Sequence, residues 1–274
     1  MTLVTFIIPV RHQDNARDWR QLTAKLEQTV RSISAQTHAD WRGIIVANHG
    51  AALPPLPEKF SVTRVTFPPN DLHELGQAGR DAFLDAFRFD KGRRVLAGML
   101  EAADSRFTMI CDDDDLVSNR IVDFVSRHSE AFGWVIEKGW LWEDGGAFFY
   151  GHDRFASRCG TCLIVRRDLY RIPPRFEDAA SDWIKDTFGS HVRLAPRLRA
   201  QNTPLSPLPF RGAVYRVGNP GSHSRAQGVL RETVLNRALL KRPQRIARNL
   251  LRFRRVGPGL REEFFGLQAS EGIG

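Results

Sequence analysis

The sequence predicts an α/β fold, with a mainly parallel central sheet flanked by helices and a basic helical extension at the carboxyl end. Three observations carry this reading. Apolar runs of strand length alternate with segments whose apolar residues recur at helical spacing. Repeated strand–helix–strand units of this kind build a parallel sheet covered on both faces. Finally, four consecutive aspartates, Asp112–Asp115, stand where one of the apolar runs ends.

The elements follow in order. TFIIPV (5–10) is a continuous apolar run suited to a strand buried on both faces. Leu22, Leu26, Val30 and Ile33 recur at helical spacing behind it. WRGIIVAN (41–48) is the second strand and SVTRVTF (61–67) the third, with a proline-rich loop between them. Residues 71–90 are polar and contain glycine, and read as loop with partial helix. Val95, Leu96, Met99, Leu100 and Ala103 make another helical face, and RFTMIC (106–111) is the strand that delivers the aspartates. Beyond residue 131 come shorter, aromatic-rich strands: GWVIEKGWLW, GAFFY and CGTCLIV. The aromatic residues Trp134, Trp140, Trp142, Phe148, Phe149 and Tyr150 suit a core or an acceptor pocket equally. AASDWIKDTFG (179–189) reads as a short helix, and APRLRAQNTPLSPLPF, with four prolines, as a surface loop.

At 274 residues with 42% hydrophobic content, the chain is long enough for one large domain. No apolar stretch approaches the roughly 20 residues that cross a bilayer. The amino terminus reads as a first strand and not as a signal peptide, so a cytoplasmic location is expected. The three cysteines, Cys111, Cys159 and Cys162, suit a reducing compartment. Cys159 and Cys162 form a C-x-x-C without the second ligand pair of a structural zinc site, and a strand there would turn them to opposite faces.

The aspartates pose the functional question. Like charges side by side repel unless a cation or a donor-rich ligand compensates them. In parallel sheets ligands bind at the carboxyl ends of strands, where Asp112–Asp115 and Asn48 both fall. One reading is a solvated turn capping the next helix, with Ser118 or Asp115 as N-cap. An EF-hand loop fails because Leu116 and Val117 occupy its fifth and sixth positions. A metal-dependent phosphatase or phosphotransferase with an aspartyl nucleophile remains an alternative, although such motifs come earlier in the chain. A third reading is a divalent cation bridging carboxylates and a nucleotide diphosphate. A basic protein bound to membrane or nucleic acid accounts for the net charge of +9 but not for an acidic strand end, which repels phosphates.

Five segments in order resemble a family 2-type glycosyltransferase with the GT-A fold, over roughly residues 3–225. They are TFIIPV; SISAQTHADWRGIIVANHG, with Ser32, Gln36, Trp41 and Gly50; KGRRVLAGMLEAADSRFTMICDDDD, ending in the family's D-x-D; RFEDAASDW; and YRVGNPGSHS. The resemblance implies a GT-A domain over 1–228, with a nucleotide-binding half to about 115 and an acceptor half from 116. It implies an inverting sugar transfer from a nucleotide-sugar, with UDP the expected nucleotide, to a hydroxyl of a glycan or lipid-linked acceptor. Mn²⁺ or Mg²⁺ would be held by Asp112 and Asp114 with His223. Pro9, Asn48, Lys91, Arg94, Asp112 and Asp113 would line the donor site. Asp182 would be the general base, with Asp178 in reserve. Two departures stand out: Asn48-His49-Gly50-Ala51 replaces the family's D-D-G-S, and Ser181 replaces the acid before Asp182.

The tail is the basic part. Residues 229–274 hold ten Lys and Arg against four Asp and Glu. Ile246, Leu250 and Phe253 fall on one helical face, with Arg245, Arg248, Arg252 and Arg255 on its flanks and Pro243 near its start. Such a helix is expected either to lie on an anionic membrane or to brace the domain.

Overall fold

Four parallel strands form the centre of the molecule: β1 (Thr2–Pro9), β2 (Trp41–Asn48), β3 (Phe60–Val65) and β4 (Ser105–Ile110). The structure is a computed structural model and describes residues 1–73, 79–218, 229 and 243–267. The other elements are β5 (Leu116–Val117), β6 (Gly133–Val135), β7 (Gly139–Glu143), β8 (Phe148–His152), β9 (Leu163–Arg166), β10 (Ser206–Pro207), β11 (Ala213–Val217) and β12 (Phe253–Arg255). Among the described residues the α-helices are α1 (Trp19–Ser34), α2 (Arg80–Glu101), α3 (Ile121–Arg127), α4 (Ser181–Thr187), α5 (His191–Ala200), α6 (Pro243–Leu250) and α7 (Pro258–Phe265).

The larger sheet runs β10-β6-β9-β4-β1-β2-β3, with β9 antiparallel to both of its neighbours. Val4, Phe6, Ile7 and Ile8 of β1 are all buried, as expected for a strand covered on both faces. Helix α2 lies directly on this sheet: a Cβ on Gly98 would come within 2.7 Å of Ile7 and 3.0 Å of Val46. The smaller sheet runs β12-β8-β7-β11-β5. The four aspartates occupy the turn that leaves β4 in the larger sheet and enters β5 in the smaller one.

The partial helix expected within residues 71–90 is the start of α2, where Phe83 and Phe87, one turn apart, stack their rings at 6.3 Å. Several other expectations are corrected. The proline-rich segment from residue 195 is not all loop, since its first part completes α5. Pro196 there lacks only the N–H that would bond to residue 192, in the exposed first turn. The C-x-x-C is not strand; β9 starts at Leu163, after a turn in which Cys162 N–H bonds to the Gly160 carbonyl. Helix α3 starts from Arg120 without a side-chain cap.

The carboxyl end is not a separate helical extension. Helix α6 does start at Pro243, but it ends at Leu250, and Phe253 belongs to β12, paired antiparallel with β8 and packed on Tyr150 at 5.1 Å. The open edge of β8 outcompetes a further helical turn, through Gly151 N–H to the Arg252 carbonyl and Val256 N–H to the Ala147 carbonyl. Phe264 and Phe265 of α7 then complete an aromatic cluster with Trp142 and Phe149. Of the aromatic residues between 134 and 150, Trp134, Trp142, Phe149 and Tyr150 are core, Trp140 lies under Arg211, and Phe148 is exposed. Among the described residues no helix is long and apolar enough to cross a membrane.

Candidate active site: the acidic turn and its cleft

The turn closes when Asp115 N–H bonds to the Asp112 carbonyl at 3.3 Å. The four carboxyls then part ways. Asp115 points inward and is fully buried, where its Oδ2 accepts from Thr161 Oγ1 at 2.6 Å and Cys159 Sγ at 3.1 Å. Its carboxyl is pushed well above the ordinary range, by burial first and then by Asp114 and Asp112. Asp115 is therefore an anchor of the turn.

Helix α1 and Gln36, just past its end, secure the exit of the turn. Thr29 Oγ1 donates to the Asp115 carbonyl, Ser32 Oγ both donates to and accepts from the Val117 backbone, and Gln36 bridges the Ser118 carbonyl and Val122 N–H. Ser32 and Gln36, two of the residues behind the family resemblance, thus hold the backbone beyond the aspartates. From the opposite side, Arg216 on β11 donates to the Asp114 carbonyl at 2.9 Å, to Asp144 at 2.5 Å and to Gln28 at 2.8 Å. Its guanidinium lies 5.0 Å above the Trp142 ring.

Asp112, Asp113 and Asp114 line a cleft of about 160 Å³ together with Pro9, Arg11, Asn15, Asn70, His73, Phe87, Asp90, Lys91, Arg94 and Tyr215. Burial alone would raise Asp112, but the Lys91 ammonium bonded to its carboxylate holds it below the usual range. Asp113 is pushed up to about 7 by burial and by its two acidic neighbours, against the pull of Arg11. Asp114 is raised by burial and Asp112, with Arg11, Arg216 and Lys25 opposing. Lys25, buried on α1, is itself lowered by burial, while Asp114 and Asp144 pull it up. The repulsion inferred from the sequence is therefore present, and at Asp112 it is met by the Lys91 ammonium.

Of the candidate site residues, Pro9, Lys91, Arg94, Asp112, Asp113 and Asp114 come together in this cleft. Asn48 lies behind it, 4% exposed: its Nδ2 donates to the Phe67 carbonyl at 2.6 Å and its Oδ1 accepts from Arg94 at 2.6 Å. Arg94 is otherwise held by Asp90, which also holds Arg93. Asp182, in the first turn of α4, is 93% exposed and pairs with Lys185 at 3.4 Å. Asp178 pairs with Arg175, and neither acid is among the residues that line the cleft. His223 lies outside the described residues.

Sequence reasoning missed Arg11, Asn15, Asn70 and His191. Arg11 was within reach, since it follows Pro9 where a parallel strand exits. Asn15 and Asn70 clip two such exits together, Asn15 Nδ2 to the Asn70 carbonyl at 3.1 Å and Asn70 N–H to Asn15 Oδ1 at 2.7 Å. His191, at the start of α5, is driven down to about 4 by burial and by Lys91, against Asp112. A neutral imidazole therefore neighbours the Lys91–Asp112 pair.

No family model matches this chain, and no curated protein matches it. Solved structures with a similar outline include S. aureus TarS in complex with UDP-GlcNAc, at 13% identity and a TM-score of 0.46, covering 83% of this chain and 62% of that one. The chain thus spans about three fifths of the TarS structure's length. Rv0371C of Mycobacterium tuberculosis H37Rv, in complex with manganese, is 10% identical with a TM-score of 0.37, covering 80% of this chain and 91% of that one. A protein described as a nucleotide-diphospho-sugar transferase, from Desulfovibrio desulfuricans G20, is 13% identical with a TM-score of 0.36, covering 91% and 99%. At such scores the likeness is one of outline, and the functional reading rests on the cleft.

Proposed function

We propose that the chain is a metal-dependent, inverting glycosyltransferase of GT-A type, which moves a sugar from a nucleotide-sugar to a hydroxyl of a glycan or lipid-linked acceptor. One observation carries this reading: a single cleft at the carboxyl ends of β1 and β4 gathers Asp112–Asp114 with Arg11, Lys91 and Arg94. Such a mixture suits a diphosphate and a divalent cation bound together, where either alone would meet like charge.

Among the described residues no group of three or more His, Cys, Asp and Glu is arranged to hold a metal. Asp112 and Asp114 fit an ion that brings phosphate oxygens as its remaining ligands, the usual habit of Mg²⁺, and His223 is proposed as a further ligand. When bound, the ion supplies neutralisation of the charge on a departing diphosphate. The chain's own residues do the rest. Lys91 and Arg11 meet the phosphate oxygens, and Pro9 with Asp113 shapes the donor site. Asn48 supports the nucleoside end by holding Arg94 against Asp90. Asp182, with Asp178 in reserve, takes the proton from the acceptor hydroxyl as that oxygen attacks the anomeric carbon. The proposal extends to an anionic membrane carrying the acceptor, because Leu250 and Leu251 are 52% and 74% exposed beside exposed Arg248, Arg254 and Arg255.

The test is a thermal-shift series of nucleoside diphosphates with and without Mn²⁺, since a ligand of the folded state raises the unfolding midpoint. UDP is expected to stabilise the protein only with Mn²⁺ present. No shift with any diphosphate under either condition overturns the reading. Mg²⁺-dependent hydrolysis of p-nitrophenyl phosphate would favour the phosphatase chemistry instead.

A further inference from the structure

Lys91 and Asp112 form a pair built with unusual care. Lys91 on α2 is 16% exposed at its side chain, Asp112 is 28% exposed, and the ammonium donates to Asp112 Oδ1. Gly160 leaves the room for them: a Cβ there would stand 2.8 Å from both Lys91 Nζ and Asp112 Oδ2. The next residue, Thr161, accepts the Asp112 backbone N–H at 2.9 Å. One short turn thus fixes Asp112 and makes space for its partner.

Removing one member of a largely buried ion pair leaves the other charged and uncompensated, which costs more than the pair itself stabilises. A bare divalent cation at Asp112 would impose that cost, since it displaces Lys91 from its only close carboxylate among the described residues. A cation that arrives with a diphosphate does not, because the phosphate oxygens receive the ammonium. We propose that Lys91 is the built-in counter-cation of the acidic turn and makes loading of the cleft ordered: Asp112 is released to a metal ion only when an anionic ligand takes over Lys91. The identity of that ligand rests on the proposed function; the role of the pair does not.

The experiment measures free Mn²⁺ by electron paramagnetic resonance during titration of the full chain, with and without UDP. It compares wild type with Lys91→Met, Lys91→Arg and Gly160→Ala, each checked for cooperative unfolding. Wild type is expected to bind Mn²⁺ weakly until UDP is present. Lys91→Met is expected to bind Mn²⁺ alone at least about tenfold more tightly, the scale of one lost charge neighbour. Lys91→Arg, which keeps the charge, should behave as wild type; a purely structural role for the lysine stem would leave Lys91→Met like wild type as well. Gly160→Ala, which wedges a methyl into the pair, should move toward Lys91→Met, and it decides the matter if Lys91→Met does not fold. Equal Mn²⁺ affinity in wild type and these two variants, or tight Mn²⁺ binding by wild type without UDP, overturns the proposal. If Lys91→Met gains Mn²⁺ affinity while UDP has no effect on any protein, the counter-cation stands and the nucleotide-sugar reading falls.

Discussion

Replacing Arg216 by methionine should loosen the acidic turn without altering any of its four aspartates. Methionine keeps much of the aliphatic stem over Trp142 and removes three bonds, to the Asp114 carbonyl, Asp144 and Gln28. An interior polar group left without its partner costs about 1–3 kcal/mol, which applies in part to the Asp114 carbonyl and to Gln28, since both residues are half-buried. Asp144 is 41% exposed, so water replaces its bond and its share stays below about 1 kcal/mol. Arg216 itself is 1% exposed, and removing a charge that is costly to bury returns part of the sum. The net loss should be about 1–3 kcal/mol, a sizeable fraction of the stability of an ordinary domain. Urea unfolding with linear extrapolation measures it, at an unchanged slope if only the native contacts are affected. A loss under about 0.5 kcal/mol, the scale of an ordinary surface substitution, would show that α1 holds the turn unaided.

Four further outcomes are expected. Asp114→Ala should abolish transfer and Mn²⁺-dependent UDP binding with the fold intact; calorimetry showing unchanged UDP affinity would remove it from the metal site. Asp182→Asn should keep donor binding and lower turnover roughly a hundredfold, the scale of a lost base; normal turnover beside an inactive Asp178→Asn would move the base. His191 has its folded pKa depressed to about 4, so the stability it contributes is present above its unfolded value and lost as pH falls from about 6.5 to 4. His191→Gln should therefore flatten that acid limb by about 2 kcal/mol, allowing for partial exposure, in unfolding midpoints taken across the window. Leu250→Ser with Leu251→Ser should reduce co-sedimentation with anionic vesicles; equal recovery on neutral and anionic vesicles, in variant and wild type alike, would leave this surface without a membrane role.

The features legible in the chain alone are local ones. β1, β2, β4 and α1 can be read off because burial on two faces or one imposes a continuous or a periodic apolar pattern on adjacent residues. The acidic turn is legible for the same reason, since four like charges after an apolar run need no partner to be conspicuous. How those charges are used depends on the folded molecule, because their partners are distant in the chain. Asp112 meets Lys91 21 residues away, Asp115 meets Thr161 46 residues away, and the Asp114 carbonyl meets Arg216 102 residues away. Asn48 shows the same limit: at a strand end its amide reads as a ligand for a base, yet folding commits it to Phe67 and Arg94. Phe253 extends an apolar helical stripe on paper, but an unpaired sheet edge at β8 offers backbone hydrogen bonds that no local pattern records. Periodicity registers which face of a segment is buried; it carries no record of which side chain from elsewhere will be waiting there.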